Sequence, residues 1–155
     1  KISNSANELL GKMNSIIWTM KSSNDSVESL AAYLRAYATE YFDGTPVDCT
    51  IEVKNLIEHE LSGEKRRNIF LSFKETLNNI LKHAKATKVN ISIAADENKL
   101  VINIRDNGVG IDLKNLRRFG NGLSNIKNRM QSIQGEFIIG SDNGTVIRFE
   151  LYLEK

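Results

Sequence analysis

The chain has 155 residues, of which 41% are hydrophobic and 26% charged, as expected for one folded domain rather than a disordered polymer. Lysine and arginine outnumber the acidic residues by 21 to 19, a net charge of +2, and there is no basic tract, so we expect no nucleic-acid binding. The single cysteine, Cys49, excludes an internal disulfide and a cysteine zinc cluster, and we expect it to be a small buried hydrophobe. No apolar run approaches the roughly 20 residues of a membrane span.

The first residues predict a helix that needs a partner. Leu9, Met13, Ile16 and Met20 repeat at heptad-like spacing on a segment too short to be stable alone. Either a helix bundle, including one shared with a second chain, or the chain's own domain could cover this seam. The chain begins with Lys1 rather than methionine and carries no signal peptide, so we expect a piece of a longer protein. We place the domain boundary between residues 1–22 and residues 23–155.

The next helix is predicted to begin at Asp25. Asp25 and Glu28 have the spacing of a capping box, and an apolar face runs from Val27 to Tyr41. A turn sequence at residues 43–46 ends this helix.

Alternating apolar residues predict strands, with helices between them. The predicted strands are residues 47–53, 89–93, 100–104, 137–139 and 145–153. The predicted helices are residues 63–86, capped by Ser62, and 121–133. Turn sequences at 96–99 and 142–144 make neighbouring strands hairpin partners. We therefore predict an α/β fold, a two-layer sandwich in which a mixed sheet carries helices on one face.

The helix predicted at 63–86 has two chemically different sides. At about 100° per residue, one side collects the apolar residues Ile69, Phe73, Leu77, Ile80 and Ala84. The opposite side collects Glu75, Asn79, Lys82 and His83. This polar stripe is either a solvated surface or a site for a magnesium phosphate, because oxygen ligands hold the metal and an ammonium meets the phosphate charge. A histidine such as His83 more often packs locally than does chemistry, and His59, between two glutamates, is expected to be structural or incidental.

Two glycine clusters lie close together. Asp106-Asn107-Gly108-Val109-Gly110 directly follows a predicted strand, and Gly120-Asn121-Gly122 leads into a predicted helix. Glycine costs chain entropy on folding, so such clusters indicate special backbone angles or the close approach of a ligand.

Four motifs, in this order, resemble those of the GHKL ATPases. "ETLNNILKHA" resembles their N box, "DNGVG" their G1 box, "GNGLSNIKNRM" their G2 box, and Gly144-Thr145 their last glycine-threonine element. Within that superfamily the chain is most similar to the catalytic domain of sensor histidine kinases with a short ATP lid, the nitrate-sensor and thermosensor subgroup. The resemblance implies a Bergerat-type ATPase fold, preceded by part of the second dimerisation helix.

The resemblance also implies roles at the adenine end of a nucleotide site. Asp106 would accept a hydrogen bond from the adenine amino group, and Thr145 would form a hydrogen bond near Asp106 and the base. Gly108 and Gly110 would let the backbone turn beneath the base. His83 and Leu123 belong to the same motifs, and we expect them to line the cofactor site.

At the phosphate end, the resemblance implies that Asn79 binds Mg²⁺, that Glu75 lies next to this metal, and that Lys82 meets a phosphate. Glu75, Asn79 and Lys82 would be the catalytic residues. Gly120 and Gly122 would form a hinge whose amides face the phosphates at the start of a helix, where the dipole is positive. Residues 111–119 would be the ATP lid.

The function implied is transfer of the γ-phosphoryl group of Mg-ATP to a histidine on the dimerisation helix, and then to a response regulator receiver domain. His59 lies between two glutamates but on a predicted surface connection rather than a bundle helix, and His83 follows Lys82 rather than an acidic residue. We therefore expect the phosphoacceptor to lie upstream of Lys1. The resemblance further implies a homodimer through the N-terminal helix and a cytoplasmic domain of a membrane-anchored sensor, without membrane contact of its own.

Two alternatives stay open at this point. A serine-kinase or anti-sigma-factor switch protein shares the same fold and pocket, and a nucleotide-binding structural module would lack turnover. Gyrase-type and chaperone-type ATPases have longer lids than this chain offers.

Overall fold

The computed structural model describes residues 25–110 and 121–153. Its helices are α1 (Val27–Phe42), α2 (Gly63–Asn79), which continues as a π-helical turn (Ile80–Ala84), and α3 (Gly122–Ser132). Its strands are β1 (Asp48–Leu56), β2 (Lys88–Ala95), β3 (Lys99–Asp106), β4 (Gly135–Ser141) and β5 (Thr145–Tyr152). The helix predicted within residues 1–22 lies outside the described residues.

The five strands form one mixed sheet in the order β1-β2-β3-β5-β4. β1 and β2 run parallel, whereas the β2–β3, β3–β5 and β4–β5 pairs are antiparallel. The chain therefore joins β1 to β2 through α2, and it joins β3 to β4 through a segment that ends in α3. Both connections bring a helix towards the end of the sheet where β3 terminates.

One face of this sheet carries the core. Ile91, Ile102 and Phe149, which lie on three neighbouring strands, are at most 2% exposed and pack with the apolar sides of the helices in a single cluster. The apolar stripe predicted for α2 is buried from Ile69 to Ala84. The predicted two-layer α/β sandwich, with a mixed sheet and helices on one face, is confirmed.

The start of α1 differs from the prediction. Ser26, not Asp25, is the capping residue, because its hydroxyl accepts a hydrogen bond from the Ser29 amide at 3.0 Å. The Asp25 carboxylate instead pairs with the guanidinium of Arg66, a side chain that is 1% exposed. This contact fastens the start of α1 to α2.

The end of α2 also differs. Ser62 caps the helix as predicted, accepting from the Lys65 amide at 3.3 Å. The helix does not continue regularly to residue 86, because residues 80–84 form a π-helical turn and Lys85 has left-handed backbone angles. A π turn changes the angular spacing of its side chains, so the stripe drawn for a regular helix does not fix the positions of Lys82 and His83.

Cys49 is half-buried rather than fully buried, because β1 is an edge strand with one neighbour. Partial burial raises the pKa of its thiol to about 11, so it is an unreactive thiol at neutral pH. No helix in the described ranges combines the length and the apolar character needed to cross a membrane.

Candidate functional site

The centre of the site is the carboxylate of Asp106, the last residue of β3. Its Oδ1 accepts hydrogen bonds from the amides of Gly108 at 2.8 Å and Thr145 at 3.1 Å. Its Oδ2 is buried and has no hydrogen-bond partner in the described part of the chain. Buried polar atoms are nearly always paired in native proteins, so an orphaned acceptor in a cavity wall calls for a donor from a ligand.

The backbone after Asp106 is shaped by its glycines. A Cβ atom on Gly108 would lie 2.0 Å from the Ala84 carbonyl oxygen, closer than any side chain can come. Gly110 has a φ of +77°, a left-handed angle that glycine adopts without strain. The first glycine cluster therefore needs glycine for both reasons expected from the sequence, close approach and backbone angle.

Asn79 forms the second polar point of the site. The sequence placed it on a stripe opposite the apolar side of α2, but it is only 7% exposed. Its Nδ2 is buried and lacks a hydrogen-bond partner within residues 25–110 and 121–153. It lies at the junction of α2 and the π-helical turn. The interpretation of the whole stripe as a solvated face is therefore wrong for Asn79.

The start of α3 lies directly against this part of α2. A Cβ atom on Gly122 would come within 2.4 Å of Glu75 Oε1 and 3.5 Å of Asn79 Nδ2. Burial, followed by the nearby charge of Glu75, raises the pKa of Tyr41, so the carboxylate is within electrostatic reach of α1. The Asn121 side chain makes no capping hydrogen bond, which leaves the first amides of α3 without that partner.

A cavity connects these groups. It is lined by Asn79, Ile80, His83, Ala84, Asp106, Gly110, Leu123, Ile139, Thr145 and Ile147. Aliphatic walls with a few polar groups at fixed positions are typical of a site for a flat, partly apolar ligand such as a nucleotide base.

The structure brings most of the predicted site residues together. Six of them line the cavity: Asn79, His83, Asp106, Gly110, Leu123 and Thr145. Gly108 and Gly122 contact the lining residues Ala84 and Asn79, and Glu75 lies against Gly122. Lys82 is exposed and is not among the lining residues. Gly120 and the predicted ATP lid, residues 111–119, lie outside the described residues.

Sequence reasoning missed the apolar walls. Ile80 and Ala84 were assigned to the core stripe, and Ile139 and Ile147 only to strands. Ile139 and Ile147 lie two residues inside β4 and β5, and no local pattern marks a core or strand residue that also borders the cavity.

Comparison with known families decides the assignment. The family model for histidine kinase-, DNA gyrase B- and HSP90-like ATPases matches residues 64–155, more than half of the chain. The chain belongs to this ATPase family. The matched residues span α2 to the end of β5, and so include every wall of the cavity.

Within the ATPase family, the similar proteins are sensor histidine kinases. The chain is 37% identical to sensor histidine kinase YvfT of Bacillus subtilis over 87 residues, which are 56% of this chain and 23% of YvfT. It is 32% identical to sensor histidine kinase ComP of the same organism over 93 residues, 59% of this chain and 12% of ComP. The nitrate/nitrite sensor NarX of Escherichia coli is 32% identical over 63 residues, 41% of this chain and 10% of NarX. The chain thus spans less than a quarter of these relatives.

Solved histidine kinase structures share the fold. The catalytic domain of histidine kinase ThkA superposes with a TM-score of 0.67 at 17% identity, covering 83% of this chain and 94% of that one. The histidine kinase domain of the Erythrobacter litoralis EL346 blue-light activated kinase gives 0.61 at 23% identity, covering 80% of this chain and 61% of that one. The predicted family, an ATP-binding catalytic domain of the sensor histidine kinase type, is confirmed.

Proposed function

We propose that the cavity binds Mg-ATP with the adenine at Asp106 and the triphosphate towards Asn79, Glu75 and the start of α3. The observation that carries this proposal is Asp106 Oδ2, a buried acceptor without a partner in the described residues. The exocyclic amino group of adenine is a donor of the required kind. Ile80, Ala84 and Ile147 supply apolar walls for the faces and edge of the base.

The residues at the other end of the cavity fit a magnesium phosphate. Within the described ranges no three histidine, cysteine or acidic side chains come together as a metal site of their own. A magnesium ion usually keeps only one or two protein ligands and takes the rest from phosphate and water. Asn79 and Glu75 would hold it, and the ion would supply charge neutralisation for the phosphates. The amides at the start of α3 add donors, and the helix dipole favours an anion there.

In the complete protein, this domain would transfer the γ-phosphoryl group to a histidine on a dimerisation helix, with a response regulator receiver domain as the next acceptor. Catalysis by this chain's residues would consist mainly of positioning and charge neutralisation. The sensor histidine kinase relatives favour this function over the switch-protein alternative. Homodimerisation and a location on the cytoplasmic side of a membrane-anchored sensor belong to the same proposal.

The direct test is calorimetric titration of the chain with ATP and with GTP, each with and without Mg²⁺. We expect ATP to bind more tightly than GTP, because guanine presents an acceptor oxygen where adenine presents the amino donor. We expect Mg²⁺ to strengthen ATP binding, and Asp106→Ala to abolish it. Equal affinity for the two nucleotides would contradict the role of Asp106.

A second test concerns the phosphoacceptor. The Nε2 atom of His59 is buried, and His83 lines the cavity beside Ala84, a wall proposed for the base, so we expect neither to receive a phosphoryl group from ATP bound there. We expect no acid-labile label on the chain after incubation with labelled ATP. Stoichiometric labelling of either histidine would overturn the proposal that the acceptor is on a separate helix.

A further inference from the structure

The side chain of Asn107 connects two parts of the site, although it lines no wall of the cavity. Its Oδ1 accepts from the amides of Thr87 and Lys88, both at 2.9 Å, and its Nδ2 donates to Thr87 Oγ1 at 2.9 Å. The Asn107 amide also donates to the Lys88 carbonyl at 3.2 Å. We call this set of contacts the Asn107 clamp. It joins the turn after β3 to Thr87 and to Lys88, the first residue of β2.

A second contact, two residues further on, ties the turn after β3 to the π-helical turn. The Val109 amide donates to the Ala84 carbonyl at 2.8 Å. Gly108, between the two attachment points, packs on that carbonyl and donates to Asp106 Oδ1. The glycine turn is therefore held on one side to the start of β2, through Asn107, and on the other to Ala84 at the end of the π-helical turn that follows Asn79.

This arrangement matters because Asp106 and Asn79 belong to different elements. Asp106 ends β3, whereas Asn79 ends α2, and a nucleotide that contacts both needs a fixed separation between them. Lys85 breaks the helix with left-handed backbone angles, so helix geometry alone does not fix that separation. The clamp lies on the β2 side of this break and the Val109–Ala84 hydrogen bond on its helix side, so the two together span it.

We propose that Asn107 is a positioning residue, which sets the adenine end of the site relative to the metal end without touching the nucleotide. The inference rests on the proposed nucleotide site and adds a residue to it. Because positional errors of about 1 Å weaken binding and catalysis strongly, loosening the clamp should lower nucleotide affinity even though the side chain is exposed.

The chain offers a matched control. Asn90 is also exposed, lies on β2, and accepts a side-chain hydrogen bond from a threonine, Thr50, across a long sequence separation. It lies on the sheet face opposite the core and is not a lining residue of the cavity. Asn107→Ala and Asn90→Ala therefore remove the same chemical group, in one case at a position attached to the glycine turn and in the other at a position away from it. Asn107→Asp keeps the acceptor for both amides and serves as the conservative variant.

The experiment is ATP titration of the chain and these three variants, with amide hydrogen exchange of the nucleotide-free proteins. We expect Asn107→Ala to weaken ATP binding about tenfold, and to speed exchange at Val109 while exchange in β5 is unchanged. Asn107→Asp and Asn90→Ala should stay within about twofold of the unaltered chain.

Three results would overturn the inference: a folded Asn107→Ala chain that binds ATP normally, an Asn107→Asp chain as weak as Asn107→Ala, or an equal loss in Asn90→Ala. If Asn107→Ala does not fold, Thr87→Val supplies the test, since it removes only the acceptor of Asn107 Nδ2. We then expect a smaller loss of ATP affinity than for Asn107→Ala, together with faster amide exchange at Val109. Normal exchange at Val109 would overturn the inference. If the unaltered chain binds no ATP, the proposed function fails, while exchange at Val109 still reports on the clamp.

Discussion

An aspartate organises the turn at each end of β3, and the two aspartates differ in whether their second carboxylate oxygen can find a partner. Asp96, just before β3, accepts hydrogen bonds from the amides of Asn98 and Lys99, both at 2.8 Å, in an exposed hairpin. Asp106, at the other end, accepts from Gly108 and Thr145 but is only 3% exposed. Water can satisfy the second oxygen of Asp96, whereas that of Asp106 is buried without a described partner.

The comparison shows that the same turn chemistry can be purely structural or can form a binding site. In each case one carboxylate oxygen accepts from two amides, although one of the two at Asp106 belongs to Thr145 on β5 rather than to the turn. Burial is what distinguishes them, since a buried acceptor cannot be satisfied by solvent. Substitutions that keep the turn and change the second oxygen should therefore lower ATP affinity at Asp106 but not at Asp96.

The largest effect is expected from Asp106→Asn, with Asp96→Asn as its matched control. The asparagine can keep Oδ1 as acceptor for the Gly108 and Thr145 amides, but it replaces Oδ2 with an amino group that would face the adenine amino group. An unpaired buried donor pair should cost about 1–3 kcal/mol, or about 5- to 150-fold in ATP affinity.

Calorimetry with ATP and GTP would measure this effect. We expect the preference for ATP over GTP to shrink or reverse in Asp106→Asn, because the new amino group can donate to the guanine oxygen. Asp96→Asn should bind ATP as the unaltered chain does. A matching loss in Asp96→Asn would show that the two ends do not differ as described.

A smaller effect is expected from Asn79→Ala, which sharpens the comparison by removing the amide oxygen proposed to hold the metal. Although Asn79 is buried, its Nδ2 makes no hydrogen bond with the described residues, so its removal loses no such bond. Alanine is also a better helix former, so the melting temperature without nucleotide should be unchanged or slightly higher. Mg-ATP affinity should fall about tenfold, with less effect on ATP without metal.

Asn78→Ala is the matched control for this change. Asn78 is the neighbouring amide on the same helix and accepts from the Tyr41 hydroxyl at 3.4 Å, and it is not a lining residue of the cavity. Its removal should leave Mg-ATP affinity nearly unchanged. If Asn79→Ala melts several degrees lower and binds Mg-ATP normally, Asn79 is structural and the metal assignment is wrong.

The smallest effect concerns pH and the exposed end. The backbone hydrogen bonds from Asn98 and Lys99 lower the pKa of Asp96 below its ordinary value of 3.8. A lowered pKa in the folded state gives stability that is present above the ordinary pKa and is lost as the pH falls through the folded one. As the pH drops below about 4, the melting temperature of Asp96→Asn should therefore fall slightly less than that of the unaltered chain. If Asp96→Asn and the unaltered chain show the same dependence of melting temperature on pH, Asp96 makes no such contribution.

The sequence by itself determined the strands, the helices and the order of the motifs. Alternating apolar residues and turn sequences are local signals, and the hairpins at 96–99 and 142–144 follow from them directly. The glycines of the first cluster and Asp106 could also be predicted, because the strand that precedes them ends at a fixed point and glycine has few other reasons to cluster.

Tertiary structure decided what depends on contacts between distant residues. Asp25 and Ser26 both have capping side chains, and only the packing of Arg66 from α2 assigns Asp25 to the ion pair and Ser26 to the cap. Asn79 is buried because α3 begins against it, which the periodicity of α2 cannot show. The π-helical turn and the Asn107 clamp likewise arise where two segments meet, more than 15 residues apart in sequence. A sequence pattern records the environment of its own element, whereas the site is made where several elements end together.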